Sequence, residues 1–318
     1  MLSLRLKSKP AHTRLLMACV LLGLTVATVI LSNAERSPSQ PTSQSAPSIL
    51  TFTTSTQPLK PTSLDAFIDA TRLKRAQQDP WDPILQTRDC TQIKAALINH
   101  HVLASDVMFN VIREIKRCKP NQKTFILLAP DHFVQGGNNI STSLRPFEYK
   151  NASININTTQ VNDLLTQVPH VEQRDDAFKI EHGVNAPLAM TTVLFDDIQL
   201  TPILIPVTLV NERTKPLAAW LKTQIDQGAF VLVSSDMSHY LNQDQALRND
   251  QESLQALEKN QPAFFLKASD DHACNAKGIA ILQLAMPQAN WQETAHSISS
   301  EYGGSTRETT SYITGFWK

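Results

Sequence analysis

From residue 94 onward the chain alternates short apolar runs with longer stretches in which apolar residues recur every three to four positions. Ala95–Asn99, Thr124–Ala129, Leu200–Val207 and Phe230–Ser234 are the apolar runs. Runs this short, without polar alternation, predict strands buried on both faces. Between them, Ser105–Arg117 carries Val107, Met108, Val111, Ile112 and Ile115 at helical spacing. Similar patterns cover Thr158–Gln167, Val184–Leu194 and Lys215–Ile225. Strands and helices in this order make βαβ units, so the predicted fold is α/β, a three-layer α/β/α sandwich around a mostly parallel central sheet. Trp291 to Trp317 lacks helical spacing and holds two strand-like stretches, expected at the sheet edge.

Ahead of this pattern, Ser63 is an N-cap candidate before Leu64, Phe67, Ile68 and Leu73, which sets the folded domain at residues 63–318. Residues 37–48 are Ser, Thr, Pro or Gln at eleven of twelve positions. Such a segment cannot bury enough apolar surface to order itself, which makes 35–62 a disordered linker. Residues 1–34 read as a signal peptide or an N-terminal membrane anchor. Arg5, Lys7, Lys9 and Arg14 precede Leu15–Leu31, seventeen residues without a charge. That is longer than the ~7–15 of a cleaved apolar region and at the lower limit of the ~17–25 that span a bilayer. Ser32-Asn33-Ala34 nevertheless offers the small residues of a cleavage site. Both forms stay open, with the anchor slightly favoured. The basic residues stay on the cytoplasmic side, so the domain is expected to be extracytoplasmic.

Charge narrows the partners. The 29 basic and 29 acidic residues cancel, and beyond residue 34 the balance is 25 against 29. A mildly acidic exported domain has no electrostatic footprint for nucleic acid. Nine glycines without a glycine-rich loop exclude a Walker or dinucleotide fingerprint. A small-molecule substrate or a metal ion is the partner class that remains, with the membrane reached through the N-terminal segment.

In open α/β sheets, functional groups collect beyond the carboxyl ends of the strands. The first run ends in Asn99-His100-His101, the second in Pro130-Asp131-His132, and the fourth in Ser235-Asp236-Met237-Ser238-His239. Three strands ending in histidine, from nine histidines in all, point to a ligand cluster. Cys274 stands just before a helix predicted to begin near Asn275, a position expected to lower a thiol pKa. Imidazoles with one thiolate suit Fe, Cu or Zn and poorly suit Mg or Ca. Cys90 precedes the first strand and Cys118 ends the helix after it. A strand of about six residues rises ~20 Å, and a return helix of about fourteen covers ~21 Å the other way. Both cysteines should therefore reach the sheet edge opposite the histidines and pair as a disulfide in an oxidising compartment.

His100, the PDH at 130–132, the EHG at 181–183, the SSDMSH at 234–239, Cys274 with Gly278, and the closing SYITGFW together resemble the MEMO family, whose bacterial members are called AmmeMemoRadiSam system protein B. The resemblance runs from about Lys94 to the C-terminus. It implies a fold like that of class III extradiol dioxygenases, which hold Fe(II) with two histidines and a carboxylate. It also implies that His100, His132 and Cys274 ligate one transition metal, Fe or Cu before Zn. Asp236 and His239 would then be the acid/base or substrate-facing pair. Glu181, His182, His101 and Asp131 are expected to face substrate or orient the ligands. The sequence departs from the family at Asn99, where a proline is usual, at Phe133, where a second histidine is usual, and at Asn185 and Pro187, where a Glu and a His are usual. Three functions are open: a mononuclear metal redox or dioxygenase-like enzyme, a metal- or ligand-binding domain without turnover, and a zinc hydrolase.

Overall fold

The computed structural model describes residues 57–60, 90, 92–149 and 152–318, all within one compact unit, Phe52–Lys318. Its centre is a ten-stranded sheet whose main path runs through β4 (Phe147–Tyr149), β5 (Ala152–Ile156), β7 (Gln199–Ile205), β2 (Thr124–Pro130), β8 (Phe230–Ser234), β1 (Ala95–Ile98), β10 (Ser311–Trp317) and β9 (Trp291–Ile298), with β3 (Ile140–Thr142) and β6 (Val171–Gln173) off that path. The predicted strands are β1 (Ala95–Ile98), β2 (Thr124–Pro130), β7 (Gln199–Ile205) and β8 (Phe230–Ser234). They are adjacent and parallel. Because successive side chains point to opposite faces, each strand feeds two cores. Ala96, Ile98, Phe125, Leu127, Phe230 and Leu232 belong to one buried cluster, and Ala95, Leu97, Ile126, Leu128, Val231 and Val233 to the other. That double burial explains why the strands read as continuous apolar runs.

Helices cover both faces. On the first lie α1 (Ser105–Cys118), which buries Met108, Phe109, Val111, Ile112 and Ile115, and α3 (His182–Thr191). On the second lie α4 (Thr214–Asp226), the short α6 (Pro262–Phe265) and α7 (Ala276–Ala285). Two further helices complete the set, α2 (Thr158–Gln167) and α5 (Gln243–Glu258). The crossover from β1 to β2 thus uses the first face and that from β7 to β8 the second, which opens a crevice where β2, β8 and β1 end.

The strands β3 (Ile140–Thr142), β4 (Phe147–Tyr149), β5 (Ala152–Ile156) and β6 (Val171–Gln173) are short and mix polar with apolar residues, so they form no apolar run in the sequence. Two expectations need correction. Of the C-terminal strands, only β9 (Trp291–Ile298) is an edge; β10 (Ser311–Trp317) is fully buried between β1 and β9 and antiparallel to both. The linker expected over 35–62 also ends earlier. Leu59 is buried and pairs with Phe147, its N–H donating to Pro146 O at 2.6 Å. Residues 57–60 are held by the Leu59 side chain, by backbone pairing at the sheet edge, and by Arg145, which donates to Gln57 O and Pro58 O. The helix expected from Ser63 and the apolar segment 15–31 lie outside the described residues. Among the described residues no helix is long and apolar enough to cross a membrane.

Cys90 and Cys118 form a disulfide with Cα atoms 4.6 Å apart, at the foot of β1 and the end of α1. At the other end of the sheet, Asp250 of α5 is fully buried. It accepts hydrogen bonds from Ser238 Oγ (2.8 Å) and Ser311 Oγ (2.7 Å), and His296 Nε2 lies 2.8 Å away. Asp250 therefore ties α5 to β9, β10 and the loop after β8.

Two outcomes follow for stability. The hydrogen bond to Asp250 raises the His296 pKa above its ordinary value. A raised folded pKa gives stability that is complete below the unfolded value of ~6.5 and lost as pH climbs through the folded value. Melting curves of the wild type and His296→Gln should differ by a few degrees below pH 6, and the difference should shrink as pH rises past the ordinary histidine value. A difference that grows with pH would contradict the assignment. Reducing the disulfide, which closes a span of 28 residues, should remove roughly 3–4 kcal/mol. Chemical denaturation with and without reductant measures it, and equal midpoints would deny the staple a role.

Candidate metal centre

The carboxyl ends of β1, β8 and β2 deliver His100, Asp236 and His132 to one crevice, and the N-terminus of α3 adds His182. In these three histidines, one ring nitrogen apiece lies within 4.8 Å of the corresponding nitrogen of the other two. His132 and His182 stack at 4.3 Å between centroids and 15° between planes. His100 meets both edge-on at 5.1 Å. Close packing is possible because α3 sits directly on the end of β2. A Cβ at Gly183 would lie 2.9 Å from Pro130 Cδ, so a larger residue would push His182 away.

Hydrogen bonds fix how the rings present themselves. Glu181, buried at the N-cap of α3, accepts from Gly183 N–H at 2.8 Å. It also accepts from His132 N–H at 2.9 Å and pairs with His132 Nδ1 at 2.7 Å. A carboxylate can only accept when ionised, so Nδ1 carries the proton and Nε2 is left for a ligand. His100 Nδ1 is 2.8 Å from Ser234 Oγ, which leaves its Nε2 toward Asp236 Oδ2 (3.5 Å) and Cys274 Sγ (3.7 Å). Burial lowers the pKa of His100 and of His182, keeping both neutral and able to donate a lone pair. Burial also opposes charge on His132, but its bonds to Cys274 and Glu181 prevail and raise its pKa. A metal bound here would displace that proton.

Asp236 is buried and takes hydrogen bonds from the backbone N–H groups of His100 (2.9 Å) and His101 (3.3 Å). Burial resists its charge, yet His100, His239 and His101 together hold its pKa below the ordinary value. His239 Nε2 lies 3.9 Å from Asp236 Oδ2. Its Nδ1 is 2.6 Å from Met237 O. A carbonyl cannot donate, so Nδ1 bears the hydrogen and Nε2 faces the carboxylate.

Cys274 lies before α7 and is buried. Its helix-terminal position was expected to lower the thiol pKa; instead burial pushes it up, with His132 pulling the other way. The helix N-cap is Asn275, whose Oδ1 accepts from Gly278 N–H at 3.1 Å. Its Nδ2 donates to Leu128 O (3.1 Å) and Ser234 O (3.0 Å), so β2 and β8 set the position of Cys274. A Cβ at Gly278 would come within 2.5 Å of the Asn275 side chain, which is why a glycine follows at that spacing.

The remaining expected residues have other surroundings. Asp131 is buried and accepts from Gln135 N–H (3.0 Å) and Gly136 N–H (2.8 Å), so it shapes the loop after β2. His101 Nδ1 is 2.7 Å from Tyr312 Oη on β10, at the side of the cluster. Cys90 and Cys118 lie at the opposite edge. His182, expected to face substrate or orient ligands, instead stands among the imidazoles that could hold a metal. Its sequence signal was weak because it opens a helix rather than closing a strand. Asn185 is buried, and its Nδ2 donates to Phe178 O and Glu181 O at 3.0 and 2.9 Å. It therefore braces the turn that carries Glu181.

A family model described as "Memo-like protein" matches residues 57–316. A MEMO1 family protein of Thermotoga maritima is 24% identical over 169 residues, covering 51% of this chain and 59% of the relative. Another, of Pyrobaculum aerophilum, is 22% identical over 197 residues, 59% of this chain and 70% of that protein. The chain thus spans only 59% of the length of the Thermotoga relative it matches. Among solved structures, an uncharacterized protein from Escherichia coli K12 superposes with a TM-score of 0.50 at 12% identity, over 70% of this chain and 99% of that one. This last likeness is one of fold.

Glu181→Gln keeps an oxygen for the α3 cap but loses the charge that orients His132. Metal affinity measured by competition with a chelator should fall 10–100-fold. Unchanged affinity would mean that Glu181 does not orient the ligand ring.

Proposed function

The chain belongs to the Memo-like protein family, and on that footing we propose that it is an exported, membrane-anchored metalloprotein with one redox-active Fe or Cu, acting on a small molecule. The observation that carries this reading is the convergence of His100, His132 and His182 within 4.8 Å, with His132 oriented from behind by Glu181. The donor set fits a transition metal: His100 and His182 held neutral by burial, His132 oriented by Glu181, and a sulfur at 3.7 Å from His100 Nε2. His100 and His132 would hold the metal, with His182 and Cys274 completing the set. Fe or Cu bound there would supply redox chemistry toward a substrate in the crevice.

The chain's own groups handle binding and protons. His239, with Nδ1 turned to Met237 O, can take a proton at Nε2. Asp236 Oδ2 stands 3.9 Å from that nitrogen. Asp236 is held in place by the His100 and His101 backbone, so one carboxylate both buttresses the ligand-bearing loop and faces the base.

A second reading, a metal- or ligand-binding domain without turnover, draws on Asn185. This residue stands where the family usually has a Glu and its amide group is bound to backbone carbonyls, which leaves that position without an ionisable group. Zinc would favour the hydrolytic alternative.

Metal analysis of the full chain purified without added metal tests the proposal. About one Fe or Cu per chain is expected, falling several-fold in both His132→Ala and Cys274→Ser. Unchanged content in both variants would overturn it. Oxygen uptake by the loaded protein supports the enzyme, and its absence the carrier.

A further inference from the structure

Most large apolar side chains of the described residues are buried, and the exposed exceptions fall in one place. They are Phe133, Val134, Val207, Val210 and Tyr240, with exposures from 42% to 79%. Phe133 and Val134 follow β2, Val207 and Val210 follow β7, and Tyr240 follows β8. These three strands are parallel, so all five side chains emerge at the sheet edge that carries the imidazole cluster. Scattered exposed hydrophobics need no explanation, but an apolar rim confined to one edge marks an interaction surface.

Backbone conformation strengthens the observation. Val134 and Tyr240 have φ of 51° and 57°. This left-handed region disfavours residues with bulky side chains, a β-branched valine above all. The two loops thus accept a backbone cost in order to hold apolar groups in water, a combination that accompanies function. The rim also borders a cleft of about 410 Å³ with a mixed wall, Val207, Ala273 and Cys274 standing beside Asp270, Asp271 and Lys277.

We propose that this rim is a second membrane contact: the edge bearing the metal centre rests on the lipid surface, with these five side chains in the interfacial layer. The occupant is read from the chain outside the structure. Leu15–Leu31 is a charge-free apolar segment preceded by four basic residues. On the anchored reading that segment lies in a bilayer, and a stretch of 25 residues, 32–56, could span at most ~80–90 Å, enough for the domain to reach the same surface. A tyrosine at the tip of an exposed loop suits the lipid–water boundary, where its apolar ring and polar tip are both accommodated. This inference rests on the anchored, metal-binding reading above.

The test uses the full chain in phosphatidylcholine vesicles with brominated acyl chains. A tryptophan is placed at the rim by Tyr240→Trp, or at the opposite edge by Asp226→Trp. The added emission of the rim variant should be quenched at least twofold, at low and at 0.5 M salt, and that of the control left unquenched. Adding Val134→Asn and Val210→Asp to the rim variant should abolish the quenching without changing metal content. Quenching lost in salt, equal in the two positions, or absent would overturn the proposal; absence is also the result if the rim serves a protein partner. Quenching in a chain that takes up no metal would sustain the rim and remove the metal reading instead.

Discussion

Parallel pairing of β1, β8 and β2 places everything else. Ile98 stands beside Ser234 and Leu128 beside Val233, so the chain leaves neighbouring strands at one level, about 4.8 Å from strand to strand. The residues that follow each strand therefore converge without a long loop to carry them. His100, Asp236 and His132 arrive by this route alone. α3 joins because its first turn rests against Pro130. A slip of one residue in β1 would send His100 to the other face of the sheet.

Converging imidazoles are of little use unless their lone pairs point inward; Glu181 turns His132 and Ser234 turns His100, while buried carboxylates fix the segments that carry them. Glu181 caps a helix and grips His132 at both backbone and ring. Asp236 grips the backbone of His100 and His101 while facing His239. Asp250 fixes the loop between them through Ser238 and Ser311. Each carboxylate joins two or more segments distant in sequence. The cost of burying it is offset by several hydrogen bonds, and loss of any one partner leaves the others unsatisfied.

The central strands and α1, α2 and α4 were legible because burial on two faces, or on one helical stripe, writes a clear period into the sequence. α2 matches the predicted Thr158–Gln167 span. β3 to β6 were not legible, since they mix polar residues into three to five positions whereas β1 and β8, equally short, form nearly unbroken apolar runs, and α5 is largely polar, burying only Ala246, Asp250, Ser253, Ala256 and Leu257. In the site, His100 and His132 were visible as strand-end residues. His182 was not singled out as a ligand, because nothing in its immediate sequence reveals that α3 folds back onto β2. The thiol was misjudged for a related reason: position at a helix terminus is readable, whereas enclosure by β2, β8 and His100 is tertiary.

The central claim is that the strand-end histidines form a metal centre. X-ray absorption on the full chain loaded with one equivalent of zinc addresses it directly. Scattering from two or more imidazoles at ~2.0–2.1 Å, with a sulfur at ~2.3 Å if Cys274 joins them, is the predicted spectrum. A coordination shell of oxygen alone, without the outer-ring signature of imidazole, would contradict it.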